Sequence, residues 1–358
     1  MRLIDRNPHA HAAISSMTSK KPSLFFCRSP LQLLNCIEAS EHFGLRNKNT
    51  VLVCAWRSER DRQLMQRLLD LYPHWSELHF FPLYPSKGQL PVMWKVFRDK
   101  RDFANLFIGD TTHLINFFIN KIGNFDTIYM VDDGTATIRR SRQIYEKKLH
   151  LQRKNFTDYN PAIALIFSKI GISPIFLYQA KFFTIYNNLN EGLSSKIEKN
   201  QLLYCKSKLK EKSRTDEIWF IGSNIRCEVL KNPEDYEIFL DQVNEHVDFS
   251  QVTYIPHRKE TDAYLETISK RYNMKIRRLQ DIIEIELIKA KALPNSIISF
   301  GSSAIDTIKI LTQLPIKIFK IPNQSIKTTR IESVQGMYDE ASRSELNLVE
   351  LKPSKVIS

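Results

Sequence analysis

No stretch of the 358-residue sequence carries roughly 18 apolar residues free of charge, the length a membrane-spanning helix requires. The best apolar run, Pro161 to Gln179, is interrupted by Lys169 and broken by Gly171 and Pro174. The opening residues, MRLIDRNPHAHAAISSMTSKK, lack the apolar core of a secretory signal. Residues 1–21 therefore read as a polar tail, with Met17 as an alternative start. The five cysteines (Cys27, Cys36, Cys54, Cys205, Cys227) are scattered and form no CxxC pair, which argues against a zinc ribbon or a disulfide framework and for a reduced, cytoplasmic setting. GxGxxG after the first strand, a Walker A sequence, HExxH, metal-spaced His pairs and GxSxG are all missing. Their absence argues against a dinucleotide fingerprint, a P-loop, a zincin and a hydrolase elbow. There is no internal repeat of solenoid length and no low-complexity tract.

What is present is an ordinary globular composition, 42% hydrophobic and 25% charged, long enough for two domains. The net charge of +13 favours anionic partners: nucleic acid, anionic lipid head groups or phosphorylated substrates. Lys and Arg are spread along the chain and most aromatics sit in strand-like runs, unlike a stacking platform for nucleic acid.

Short apolar runs alternate with helical patterns, the grammar of an α/β protein with parallel sheets. In the first half, strands are predicted at Ser23–Cys27, Thr50–Trp56, Leu78–Leu83, Asn105–Ile108, Asp126–Val131 and Phe182–Ile185, and helices at Leu31–His42, Glu59–Leu71, Val92–Arg101, Thr112–Asn120 and Ile138–Leu149. A polar, basic segment from Asn188 to Asp216 interrupts the pattern. A second series follows, with strands at Glu217–Ile221, Val252–Ile255, Lys275–Arg278, Ser296–Phe300 and Ile316–Phe319, and helices at Pro233–His246, Glu260–Tyr272, Asp281–Ala290, Ala304–Leu314 and Ile331–Leu346. The expected organisation is a tail (1–21), an N-terminal Rossmann-like acceptor domain (22–190), a linker (191–215) and a C-terminal Rossmann-like nucleotide-sugar domain (216–358). The two domains are expected to face a central cleft, because ligands of such sheets sit outside the carboxyl ends of the strands.

Five strand ends are polar or glycine-rich: Arg28-Ser29-Pro30-Leu31-Gln32, Asp132-Asp133-Gly134, Gly222-Ser223-Asn224, Pro256-His257-Arg258-Lys259 and Gly301-Ser302-Ser303. Adjacent carboxylates repel, so Asp132 or Asp133 is a candidate base beside a reacting hydroxyl, with Gly134 allowing a sharp turn; a plain turn is the bland reading. His257 can donate to a leaving phosphate and Arg258 or Lys259 can add charge; a surface histidine in a basic loop is the alternative. In FGSSAIDTIKIL a strand ends on Gly301 and a helix starts at once, so Ser302 or Ser303 is expected as N-cap at an anion-binding helix start. Gly222 and Ser223 offer ribose or phosphate contacts, or a structural turn. Pro30 explains the start of the first helix by itself, leaving Arg28, Ser29 and Gln32 as possible acceptor or sugar contacts.

Taken in order, Asp132-Asp133-Gly134, His257 and Ser302-Ser303 resemble the aspartate-rich, histidine and serine motifs of bacterial sialyltransferases. The opening SLFFCRSPLQLLNCIEA looks like the start of the lipooligosaccharide sialyltransferases of glycosyltransferase family 52. The likeness runs from about Ser23 to about Leu314 and departs at Arg258, where the family pattern has proline. It implies a GT-B-like fold, a CMP-sialic acid donor, inversion at the anomeric carbon with no metal or other cofactor, and a glycan or glycolipid acceptor of a surface lipooligosaccharide or capsule. Pseudaminic acid or Kdo as the CMP-linked sugar is the alternative within that class; a basic nucleic-acid-binding protein or a non-catalytic nucleotide-binding protein is the alternative outside it. Glu228 or Asp235 is the fallback base. The basic, apolar stretch Lys147–Lys181 could touch the inner face of an anionic membrane, or serve as a helical subdomain or a homodimer contact.

Overall fold

The computed structural model describes residues 21–83, 89–99, 102–110, 118–119, 122–134, 136–146, 174–186, 189, 191–209 and 211–353. The expected tail, most of the expected helix Thr112–Asn120 and most of Lys147–Lys181 lie outside them. The chain divides into two compact units, Met1–Tyr204 and Cys205–Ser358.

The first unit holds strands β1 (Ser23–Cys27), β2 (Thr50–Trp56), β3 (Glu77–Pro82), β4 (Asp102–Ile108), β5 (Asn124–Val131), β6 (Lys181–Thr184) and β7 (Ile197–Lys199). They form one parallel sheet in the order β3-β2-β1-β4-β5-β6-β7. β1 is buried at every position and β2 at all but its last, which accounts for their unbroken apolar runs: helices cover both faces of such a sheet. Helix Pro30–His42 starts where the sequence places it, with Ser29 extended and its hydroxyl accepting from the Gln32 N–H at 3.2 Å. Helix Glu59–Leu71 repeats the device: Ser58 accepts from Asp61 N–H at 3.1 Å, and Glu59 and Asp61 add negative charge to the first turn.

The second unit carries β9 (Ile218–Ile221), β10 (Val252–Ile255), β11 (Lys275–Ile276), β13 (Ser296–Ser299), β14 (Ile316–Lys320) and β15 (Asn347–Glu350), parallel in the order β11-β10-β9-β13-β14-β15. Two short strands, β8 (Ser213–Arg214) and β12 (Ala292–Leu293), pair beside it. Trp219, Phe220, Tyr254 and Phe300 anchor its buried core.

The expected linker needs correction. Residues 191–196 form a 3-10 turn and β7 is the edge strand of the first sheet, so the first unit continues to Tyr204. An edge strand tolerates charge on its solvent side, which is why Ile-Glu-Lys reads as linker in composition. The last helix also shifts, to Thr328–Arg343, and β15 follows it as an edge strand that the sequence reading lacked.

Candidate active-site residues on two sheets

In each sheet the strand order reverses once. The chain leaves β1 for β2 and β3 on one side and returns to β4 on the other; in the second unit it leaves β9 for β10 and β11 and returns to β13. Loops diverge at such a reversal and open a crevice at the carboxyl ends of the flanking strands. Arg28, Ser29 and Gln32 follow β1 at the first reversal; Gly222-Ser223 and Gly301-Ser302-Ser303 follow β9 and β13 at the second.

At the first crevice, Arg28 and Asp110, which follow β1 and β4, form an ion pair across the reversal at 3.1 Å, both largely buried. Asp110 also meets Arg57 after β2 at 3.4 Å and Arg140 of helix Ala136–Tyr145 at 3.1 Å. Gln32 is 1% exposed; its Oε1 accepts the Arg28 N–H at 2.9 Å. Its side chain lies flat on Gly109, where an added Cβ would stand 2.5 Å from Gln32 Cγ. The glycine is required there because a side chain from helix Pro30–His42 crosses the backbone of β4's end.

The two adjacent aspartates have different environments. Asp132 is buried, with Oδ1 accepting the Thr184 hydroxyl at 2.7 Å and Oδ2 the Ile185 N–H at 2.8 Å. Burial pushes its carboxyl up to about 6 against those hydrogen bonds. Both oxygens are spent joining the end of β5 to the end of β6. Asp133 is half-buried and its backbone N–H donates to the Thr137 hydroxyl at 2.9 Å, while Gly134 takes a left-handed turn at φ +62°. Burial raises the Asp133 carboxyl; the neighbouring Gln32 amide opposes that, Asp110 adds to it, and Arg57 and Arg140 oppose it. Arg57, Asp110 and Arg140 were missed in the sequence. The first two stand directly after strand ends, the same signal that singled out the others.

At the second crevice, the Gly222 N–H donates to Ile255 O at 2.8 Å, and the Ser299 hydroxyl donates to Ile221 O at 2.8 Å while accepting the Gly301 N–H at 3.0 Å. These bonds draw the three strand ends together. A Cβ at Gly222 would meet the Tyr254 hydroxyl at 2.8 Å, and Gly301 has φ +128°. Helix Ala304–Thr312 begins directly after; the Ser302 hydroxyl accepts from the Ala304 N–H at 3.4 Å. Of the two serines expected to cap, Ser302 makes the side-chain bond; Ser303 is already helical in backbone (φ −61°, ψ −18°) and makes none. His257 sits in a loop fixed by Glu260, which is buried behind it and accepts both the His257 N–H at 2.6 Å and the Tyr254 hydroxyl at 2.8 Å. The Lys259 N–H approaches His257 Nδ1 at 3.3 Å. An accepting Nδ1 puts the proton of a neutral imidazole on Nε2, where it can be donated. Lys259 pairs with Glu228, and Arg330 lies 3.9 Å from the same carboxylate. The Lys259 hydrogen bond holds Glu228 below its ordinary range, the wrong direction for a base. Asp235 is buried in the first turn of helix Asp235–Asn244.

Among the described residues no group of three or more His, Cys, Asp or Glu could hold a metal ion, and no helix is long and apolar enough to cross a membrane.

No family model and no curated protein matches this sequence. Solved structures do. One is a UDP-N-acetylglucosamine 2-epimerase, at TM-score 0.50 and 11% identity over 93% of this chain and 84% of that one. Another is a Glycyrrhiza uralensis UGT complexed with glycyrrhetinic acid 3-O-monoglucuronide, at TM-score 0.50 and 8% identity over 94% and 82%. A third is the Neisseria meningitidis UDP-GlcNAc 2-epimerase bound to UDP-GlcNAc, at TM-score 0.49 and 10% identity over 90% of each. The fold is GT-B: α/β, with two Rossmann-like domains. The resemblance to family 52 sialyltransferases does not hold. Neither family models nor curated sequences support it, and the structures matched at TM-score 0.50 are a UDP-N-acetylglucosamine 2-epimerase and a Glycyrrhiza uralensis UGT. Short motifs such as Asp-Asp-Gly and Ser-Ser recur wherever strands of α/β sheets end, so their order alone mimicked a family.

Proposed function

We propose that this chain is a glycosyltransferase that moves a sugar from a nucleotide donor to an acceptor hydroxyl. The observation that carries the reading is Asp133: a carboxylate raised by burial, beside the strand-order reversal of a GT-B sheet, while its neighbour Asp132 is spent on structure. A base needs an affinity for protons closer to neutrality than an exposed aspartate has. Asp133 takes the proton of the acceptor hydroxyl as its oxygen attacks the anomeric carbon; the bond from that carbon to the donor phosphate breaks, and the configuration inverts.

The second unit supplies the donor seat. The leaving phosphate accepts from His257 Nε2 and from the Ser302 and Ser303 hydroxyls at the positive start of helix Ala304–Thr312, with Arg258 adding charge and Gly222, Ser223 and Gly301 giving close backbone approach. One helix start and one imidazole match a single phosphate, so the finer reading is a CMP-linked acidic sugar transferred without a divalent cation. Arg28, Ser29, Gln32 and Gly134 belong to the acceptor side.

The test is a thermal-shift screen with CMP, UDP, GDP and ADP, with and without chelator, followed by transfer assays with the matching sugar donors. Nucleotide stabilisation with transfer supports the reading; CMP acting alone, in chelator, supports the finer one. A donor sugar that is epimerised and never transferred would overturn it, as would salt-sensitive oligonucleotide binding with no response to any nucleotide.

A further inference from the structure

The first crevice gathers three guanidinium groups on one carboxylate. Asp110 accepts three guanidinium groups: Arg28 and Arg57 on Oδ2, Arg140 on Oδ1. Arg57 and Arg140 each reach it through a single Nη2, at 3.4 and 3.1 Å, and neither forms an ion pair with another carboxylate among the described residues. A guanidinium carries five N–H donors in a planar fork suited to two oxygens of one oxyanion, so a one-point contact leaves most of that capacity unused. Arg57 is 44% exposed and Arg140 23% exposed, hence open to a ligand while held in place. A second observation lies beside them. Gln32, 1% exposed, has an Nε2 that faces the Asp133 carboxylate closely enough to favour its ionised form but without the geometry of a full hydrogen bond to it or to any other group. Buried amide donors are rarely left so, and an acceptor oxygen brought to Asp133 would supply what is missing.

We infer that the acceptor carries an anionic group, a carboxylate or a phosphate, which Arg57 and Arg140 bind while Asp133 faces the hydroxyl that reacts. The inference rests on the glycosyltransferase reading and names its acceptor class. The pair then does two things. It recognises the acid by bidentate, charge-assisted hydrogen bonds, and it ties that acid beside the base so that the nucleophile is oriented.

The experiment compares three acceptors built on one oligosaccharide core: neutral, uronic-acid-terminated and phosphate-bearing. Wild type, Arg57→Gln, Arg140→Gln and the double variant are assayed for kcat/KM, with nucleotide-induced thermal shift as the control for folding. Wild type is expected to favour an acidic acceptor by about 10- to 100-fold, the range of one or two charge-assisted hydrogen bonds. The preference should collapse towards unity in the double variant, and the acid that is preferred identifies carboxylate or phosphate. Equal use of neutral and acidic acceptors, or a preference that survives in the double variant, overturns the inference. So does loss of the nucleotide-induced shift in the double variant, which would assign the arginines to the donor. If wild type transfers to none of the acceptors, the transferase reading falls by itself, and calorimetry with the same saccharides decides this one. Acid-selective binding lost in the double variant upholds it; indifferent or absent binding ends it.

Discussion

The crevice of the first unit is made of charge, and that of the second is made of glycine, serine and backbone. In the first, Arg28, Arg57 and Arg140 converge on Asp110, and Asp110, Arg57 and Arg140 bear on the protonation of Asp133. In the second, Gly222 and Gly301 let strand ends close on one another through main-chain N–H groups, a helix opens directly after Ser303, and one imidazole stands in the loop after β10. The difference teaches what each half is suited to do. A proton must be taken by a group whose affinity for it is tuned by neighbours, and only ionisable side chains allow that. An anion can be held by dipoles that never change charge.

The largest test of this contrast is Asp133→Asn. Transfer should fall by about a hundredfold to ten-thousandfold, the usual range for a lost general base, with nucleotide stabilisation retained; kcat and thermal shift measured on one preparation separate the two. Asp132 should behave otherwise. Asp132→Ala strands the Ile185 N–H and should cost about 1–3 kcal/mol in denaturant unfolding. Its folded value, about 6, lies above the ordinary 3.8, so the folded state keeps a proton that the unfolded chain releases. Stability therefore falls as pH rises through that window. Asp132→Asn keeps an acceptor for Ile185 and removes the titration. Wild type should lose stability relative to it across the window by up to about 3 kcal/mol, and parallel curves would contradict this.

In the second crevice the expected effects are conformational. Gly301→Ala forces a side chain onto φ +128° with Met337 Cε 2.0 Å from the new Cβ. It should lower stability by about 1–3 kcal/mol and weaken nucleotide binding in parallel. The smallest effect is expected from Glu228→Gln. Its pair with Lys259 is exposed, at 55% and 40%, so stability should move by less than about 0.5 kcal/mol, and transfer should be unaffected. A large loss of transfer there would move the base to the second unit and reverse the contrast.

Much of the fold was legible because parallel strands bury both faces. β1 and β2 are apolar after their first residue, and the sequence places them where they lie. β7 and β15 were not legible: as edge strands they carry Glu, Lys and Asn and resemble loop. Strand ends pointed to Gly222, His257 and Gly301 because backbone chemistry is local. The choice between Asp132 and Asp133 was not local. It depends on Thr184 and Ile185, 52 and 53 residues further along, which no spacing near the aspartates encodes. The same holds for Arg140, which reaches Asp110 from a helix 30 residues away.

Asp132 also bears on how such a protein can change. By clamping the tips of two neighbouring strands, it fixes the peptide that carries Asp133. Loops around the first crevice can then be lengthened, shortened or recoded during divergence while the Asp133 carboxylate keeps its place. A silent neighbour of this kind frees the rest of the rim to vary.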